Sequence, residues 1–470
     1  MSITDALVKI SSYIPEVKRP LGEVPLKRRI MWSAVALMIY FILGHIPLIG
    51  LTAEAKGRID FMVILGSTMG TLATAGIGPI VFASLLLQML VGAKLIEIDL
   101  ADPKGRAKFQ SIQKLAIILF CIFEGFVYPM SGWISGNTLL LAMQITLGSI
   151  ILFYLDDLIG KYGIGSGISL FIAGGVSYHL LLNLFRPSMR GAEVPGLIWQ
   201  FFNSLTAGSP NYILLLPLIV TIAMFLVVIY AQSMYVNIPI TIGRAGFGGR
   251  FPVRLLYVSV LPVIFASALF ANIQLFTAMV KDVPILGDIG RYVTWATGSG
   301  ITEQLMPSQN AGYWTRFQYS VNNFFQYIIL QISSQGFGVL AKETLRVTQA
   351  LLFLVIFVVT CVIFGKLWIV IGGQSPEDIA EQLESSGMYI PGFRRDSRVT
   401  VKILERYIPT IAVLGSIFIG LLAAIGDMSL GGLTSGTGIL LTVGIIENLY
   451  EQLVRLKLKD MHPIFKKLLG

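Results

Sequence analysis

Apolar positions along this chain fall in long runs, separated by short polar and glycine-rich stretches. A helix crossing about 30 Å of hydrocarbon needs about 20 predominantly apolar residues. Ten runs approach that length: 30–50, 77–95, 109–130, 138–155, 168–186, 212–236, 256–280, 347–371, 407–426 and 436–454. The sequence lacks the short alternating segments that mark a membrane β-barrel. The first run is long and has no small-residue cleavage site, so it reads as a retained span rather than a signal peptide. The pattern predicts an all-α polytopic membrane protein.

Composition agrees. Of 470 residues, 55% are hydrophobic and 13% charged, where soluble domains carry about 25% charged residues. Mean hydropathy is +0.76. A soluble enzyme, a disordered chain or a nucleic-acid-binding domain could not keep that much apolar surface from water. Cys121 and Cys361 lie in apolar runs and form no disulfide framework, and the three histidines are scattered.

The net charge of +9 sharpens the topology. With the N-terminus inside, the cytosolic segments 1–29, 94–108, 156–167, 237–255, 372–406 and 455–470 hold 24 basic residues, against 9 on the opposite side. The positive-inside rule therefore places both termini in the cytosol, with the plasma membrane as the expected location. Ten spans divide into two sets of five that enter the membrane from opposite sides, as in an inverted repeat. The expected organisation is a cytosolic N-terminal segment (1–29), an N-terminal half (30–190), an external hinge (191–211), a C-terminal half (212–454) and a cytosolic tail (455–470).

Some stretches do not fit a simple bundle. Ile3, Leu7, Ile10 and Ile14 share one face of a helix over 1–14, which suits the membrane surface. The run FMVILGSTMG within 51–76 is too short to cross. It reads either as a short helix in a cavity or as an ordinary packed re-entrant loop. Within the external segment 281–346, Phe317–Ile332 is apolar but interrupted by Asn and Gln, and reads as an external helix. Two cytosolic loops, TIGRAGFGGRFPVR and the stretch ending PGFRRDSRVTVKILER, carry arginines. These either bind an anionic partner or only satisfy the positive-inside rule.

Catalytic motifs are missing from the sequence. It contains no HExxH, GxGxxG, phosphate loop or paired carboxylates; GIGSG (163–167) reads as a tight turn, and Glu124 is the one acid well inside a span. Lys114 and Lys366 sit within runs where they can snorkel. No cofactor, metal or enzymatic step is expected. A passive conduit and an ion-coupled secondary transporter with inverted repeats both remain.

Five stretches carry a resemblance. TLATAGIGPIVFASLLLQMLVG (71–92), KYGIGSGISLFIAGGV (161–176), PVRLLYVSVLPVIFASALFANIQ (252–274), GFRRDSRVTVKILERYIP and GTGILLTVGIIENLYEQL resemble, in order, segments of the SecY/Sec translocon α-subunit family, in its archaeal style. The resemblance implies ten transmembrane helices in two inverted five-helix halves, a clamshell with a short plug helix, which conducts unfolded chains across the membrane or sideways into it. It implies a pore ring at Ile77, Val81, Ile168, Ile172, Ile264 and Leu441, and a plug over 57–70 containing Arg58, Ile59, Phe61, Met62, Ile64 and Leu65. It also implies a lateral gate with Glu124 and Asn272 as a hydrogen-bonded latch, although a Thr found in some relatives is Phe82 here. Arg244, Arg250, Arg254, Arg394 and Arg395 become docking residues for the ribosome and its rRNA. Implied partners are SecE, Secβ, the ribosome with its nascent chain, the lipid bilayer and, only in a bacterium, SecA.

Overall fold

The computed structural model describes residues 8–9, 11, 13–22, 24–52, 66–92, 95–96, 98, 102–187, 195–206, 212–242, 247–280, 283, 286–297, 336–386, 388–389, 397–429 and 435–461. The N-terminal half contains α1 (Leu26–Leu43), α2 (Gly78–Gly92), α3 (Pro103–Met130), α4 (Thr138–Tyr162) and α5 (Gly167–Phe185). After α6 (Leu197–Thr206), the C-terminal half contains α7 (Leu216–Ser233), α8 (Leu261–Met279), α9 (Leu286–Thr297), α10 (Gly336–Ile371), α11 (Pro376–Ser385), α12 (Ser397–Ser429) and α13 (Gly436–Met461). Every predicted span holds one of these helices. Among the described residues, 6 helices are long and apolar enough to cross a membrane, and α2 and part of α7 are apolar but shorter.

Local chemistry sets the ends. Asn137 and Ser166 accept hydrogen bonds from Leu140 N and Ser169 N and so cap α4 and α5. The first helix stops earlier than its apolar run: Gly44 closes α1, and Pro47 pairs in a short bridge with Thr71. The apolar residues beyond Gly44 therefore belong to the re-entrant connection rather than to a span.

The second described part of that connection, 66–77, lies largely inside the protein. Gly66, Ser67 and Ala73–Ile77 are buried, and Tyr40 OH of α1 donates to Gly66 O at 3.3 Å. Its backbone presses on α4, where a Cβ on Gly148 would stand 1.9 Å from Leu72 O. Only a glycine allows that approach.

The N-terminal stretch is anchored against α3 and the C-terminal end of α4. Lys161 Nζ donates to Val17 O at 2.6 Å and Asp157 Oδ2 accepts from Val17 N at 3.2 Å. Lys114 pairs with Glu16 of the same stretch, so its charge does not lie in the apolar interior. Most of the predicted amphipathic helix over 1–14 and all of Phe317–Ile332 lie outside the described residues.

The structure adds a sheet that was not expected. β1 (Tyr235–Ile242) and β2 (Phe247–Arg254) form an antiparallel hairpin, and β3 (Met388–Tyr389) pairs with β1 through Thr241↔Tyr389 and Ile242↔Met388. The two arginine-bearing loops are thus joined in one sheet. Its Ile238 and Val253 pack with Ala380, Leu383, Leu404 and Ile408 of α11 and α12.

Candidate pore, lateral gate and docking loops

The six predicted ring positions fall in one large apolar cluster of the protein. Ile77, Val81, Ile172, Ile264 and Leu441 are buried members of one apolar cluster, and half-buried Ile168 packs against it. Packing between α8 and α2, α8 and α13, and α13 and α5 brings their helices together. Val81 N bonds to Ile77 O at 3.1 Å, so these two stand one turn apart on a shared face. Each ring residue lies within about two turns of its helix start. A waist of branched aliphatic side chains offers water no hydrogen bonds and can gate by dewetting.

The gate helices meet differently from expectation. Glu124 of α3 and Asn272 of α8 are both buried. Asn272 Nδ2 donates to Ala268 O within its own helix at 3.0 Å. Among the described residues, Glu124 Oε1 and Asn272 Oδ1 have no hydrogen-bond partner. Aromatic rings join the helices instead. Phe276 of α8 lies 6.0 Å from Phe82 of α2 and 5.6 Å from Phe123 of α3, both edge to face. Phe120 continues the cluster within α3, 5.1 Å from Phe82. The departure at Phe82 was the one sequence signal for this cluster, since a ring there needs ring partners of its own.

The plug positions Arg58, Ile59, Phe61, Met62, Ile64 and Leu65 lie outside the described residues, as do Arg244, Arg394 and Arg395 of the loops. Arg250 and Arg254 stand on β2. Arg250 is exposed. Arg254 reaches α13, where Nη2 donates to Glu451 and Nη1 lies 3.6 Å from Glu447. That hydrogen bond and the neighbouring carboxylates raise the guanidinium pKa further above its usual value. Among the described residues, no group of three or more His, Cys, Asp or Glu could hold a metal.

The family model for SecY matches residues 71–450. The chain belongs to the SecY family. A protein translocase subunit SecY from Methanocaldococcus jannaschii is 39% identical over 99% of both chains. One from Pyrococcus furiosus is 34% identical over the full length of both. Among solved structures, a SecY-type fold described as a protein conducting channel superposes with a TM-score of 0.79 at 37% identity, covering 97% of this chain and 98% of that one. Sec61 from a canine ribosome–channel complex superposes with a TM-score of 0.75 at 36% identity, covering 97% and 98%. This SecY-family chain is a multi-pass membrane protein, and its family is one of translocase channels rather than of catalytic enzymes.

Proposed function

We propose that this SecY-family chain is the pore-forming subunit of a Sec protein translocase, which conducts unfolded polypeptides across the cell membrane and releases apolar segments sideways into lipid. What supports the reading is membership of the SecY family together with six aliphatic positions on four helices that belong to, or pack against, one buried apolar cluster, where they suit a pore ring. A translocating chain presents every kind of side chain in turn, so a selective site would hold it back. An aliphatic ring grips loosely and closes when empty. The segment 57–70 acts as the plug that closes the pore from outside, and α2 and α3 open against α8 and α10 as the lateral gate.

The cytosolic sheet and loops dock the ribosome, as the channel does in the Sec61 relative's complex. Arginines there pair with rRNA phosphate through their planar fork. SecE clamps the two halves, Secβ associates at the side, and both termini face the cytosol.

Reconstituted vesicles test the reading. Ile77→Gly, Val81→Gly and Ile172→Gly together, or deletion of 57–70, are expected to raise resting ion leak. Tight vesicles from the triple variant would refute the ring, and from the deletion, the plug. The transporter alternative requires polar coupling groups at midplane and a solute flux driven by an ion gradient. Such a flux without any translocation of preprotein would favour it.

A further inference from the structure

Two helix starts in this chain repeat one another. Ser166-Gly167-Ile168-Ser169-Leu170-Phe171-Ile172 at α5 aligns without a gap on Ser435-Gly436-Thr437-Gly438-Ile439-Leu440-Leu441 at α13. The geometry repeats as well. Ser166 Oγ accepts from Ser169 N at 3.2 Å, and Ser435 Oγ accepts from Gly438 N at 3.0 Å.

In both places the preceding helix lays an aspartate over the new first turn. Asp156 of α4 accepts from Ile168 N at 3.0 Å. Asp427 of α12 accepts from Thr437 N at 3.0 Å, and its other oxygen accepts from Thr437 Oγ1. The glycine before each bonded residue makes the contact possible. A Cβ on Gly167 would lie 2.6 Å from Asp156 Cα, and one on Gly436 would lie 2.3 Å from Gly426 Cα and 3.1 Å from Asp427 N.

Carboxylates are costly next to hydrocarbon. Here each is satisfied by unpaired amides and the positive end of a helix. In each case a ring residue follows four positions after the bonded amide: Ile172 after Ile168, and Leu441 after Thr437. That is one turn along the same face. The two connections lie on opposite sides of a ten-span topology, as a pseudo-two-fold axis in the membrane plane requires.

We propose that Asp156 and Asp427 are a symmetry-related pair of positioning residues, each pinning the first turn of the helix that carries a ring side chain and so setting how tightly the empty pore seals. The proposal rests on the ring reading. Asp156 acts through Ile172 and Asp427 through Leu441.

The test is resting ion efflux from vesicles holding the full chain co-purified with its partner subunits. Asp427→Ala is expected to raise leak several-fold, and Asp427→Asn to restore the seal, because an amide oxygen still accepts from Thr437 N. Asp427→Ala should add nothing when Leu441 is already Gly, yet should multiply the leak of Ile172→Gly. Asp156→Ala should show the converse pattern. A purely structural role would lower yield without this pairing. If Asp427→Ala does not accumulate, Thr437→Val, which removes only the side-chain hydrogen bond, should still leak more than the parent, and no change would overturn the clamp. Leaky glycine variants beside tight Asp→Ala variants, or leak that multiplies with both ring positions, would overturn the clamp alone. Tight glycine variants would overturn the ring reading and the clamp with it.

Discussion

Phe276→Ala offers a quantitative test of the gate. Phe276 is the ring of α8 that touches both Phe82 of α2 and Phe123 of α3. Aromatic pairs contribute about 0.5–1.5 kcal/mol each beyond their buried area. Losing both cross-gate pairs therefore weakens closure by about 1–3 kcal/mol, which shifts the opening equilibrium by about 5- to 150-fold. A signal sequence must supply this energy when it opens the gate. At about 0.8 kcal/mol per buried CH₂, the loss equals about one to four methylene groups of signal sequence. Phe276→Ala should thus restore export of a reporter whose signal sequence carries one Leu→Ala change. Phe120→Ala is the control, because its ring pairs, with Phe82 and Phe123, stay within the N-terminal half. Unchanged export of the weakened reporter in Phe276→Ala, or equal restoration by Phe120→Ala, would refute the reasoning.

Further outcomes are expected elsewhere in the chain. Ser375→Ala removes the capping box in which Asp378 N donates to Ser375 Oγ at 3.2 Å and Ser375 N donates to Asp378 Oδ2 at 3.1 Å; it should cost α11 about 0.5–2 kcal/mol, read as faster amide hydrogen exchange confined to 376–385. Arg250→Glu should weaken ribosome binding and flatten its salt dependence more than Arg254→Glu, since Arg254 is engaged by Glu451; equal effects in a binding titration would remove the distinction. Gly148→Ala forces α4 away from the backbone at Leu72 and should destabilise the chain by about 1–3 kcal/mol, seen as a lower melting temperature of the detergent-solubilised complex. An unchanged melting temperature would contradict the close approach.

The positions of the spans were legible in one dimension. Helix ends followed the apolar runs closely at both ends of α5, at the start of α4 and at the end of α8, because in a bilayer every backbone group must be satisfied within its own helix. The exceptions are informative. Gly44 ended α1 early, and the apolar run beyond it, with Ile46 and Ile49 exposed, leads into the connection that bridges Pro47 to Thr71. The alternation of Val236, Ile238, Ile240 and Ile242 was a strand signal in a loop read by its arginines alone. The proposed ring positions came from family-like motifs, and no single isoleucine announced them.

The sequence by itself determined that the chain resides in a membrane, where its helices run and which face carries the basic residues. Those properties depend on transfer energy and charge summed along a local segment. Only the tertiary structure decided that Phe82, Phe123 and Phe276 join α2, α3 and α8, and that Glu124 Oε1 and Asn272 Oδ1 find no hydrogen-bond partner among the described residues. It alone joined Ile242 to Met388 and placed Asp156 and Asp427 on helix starts. Each of these is a short-range contact between segments distant or separated by a turn in the chain. Its existence is set by which helix faces pack, and a residue's own hydropathy does not carry that information.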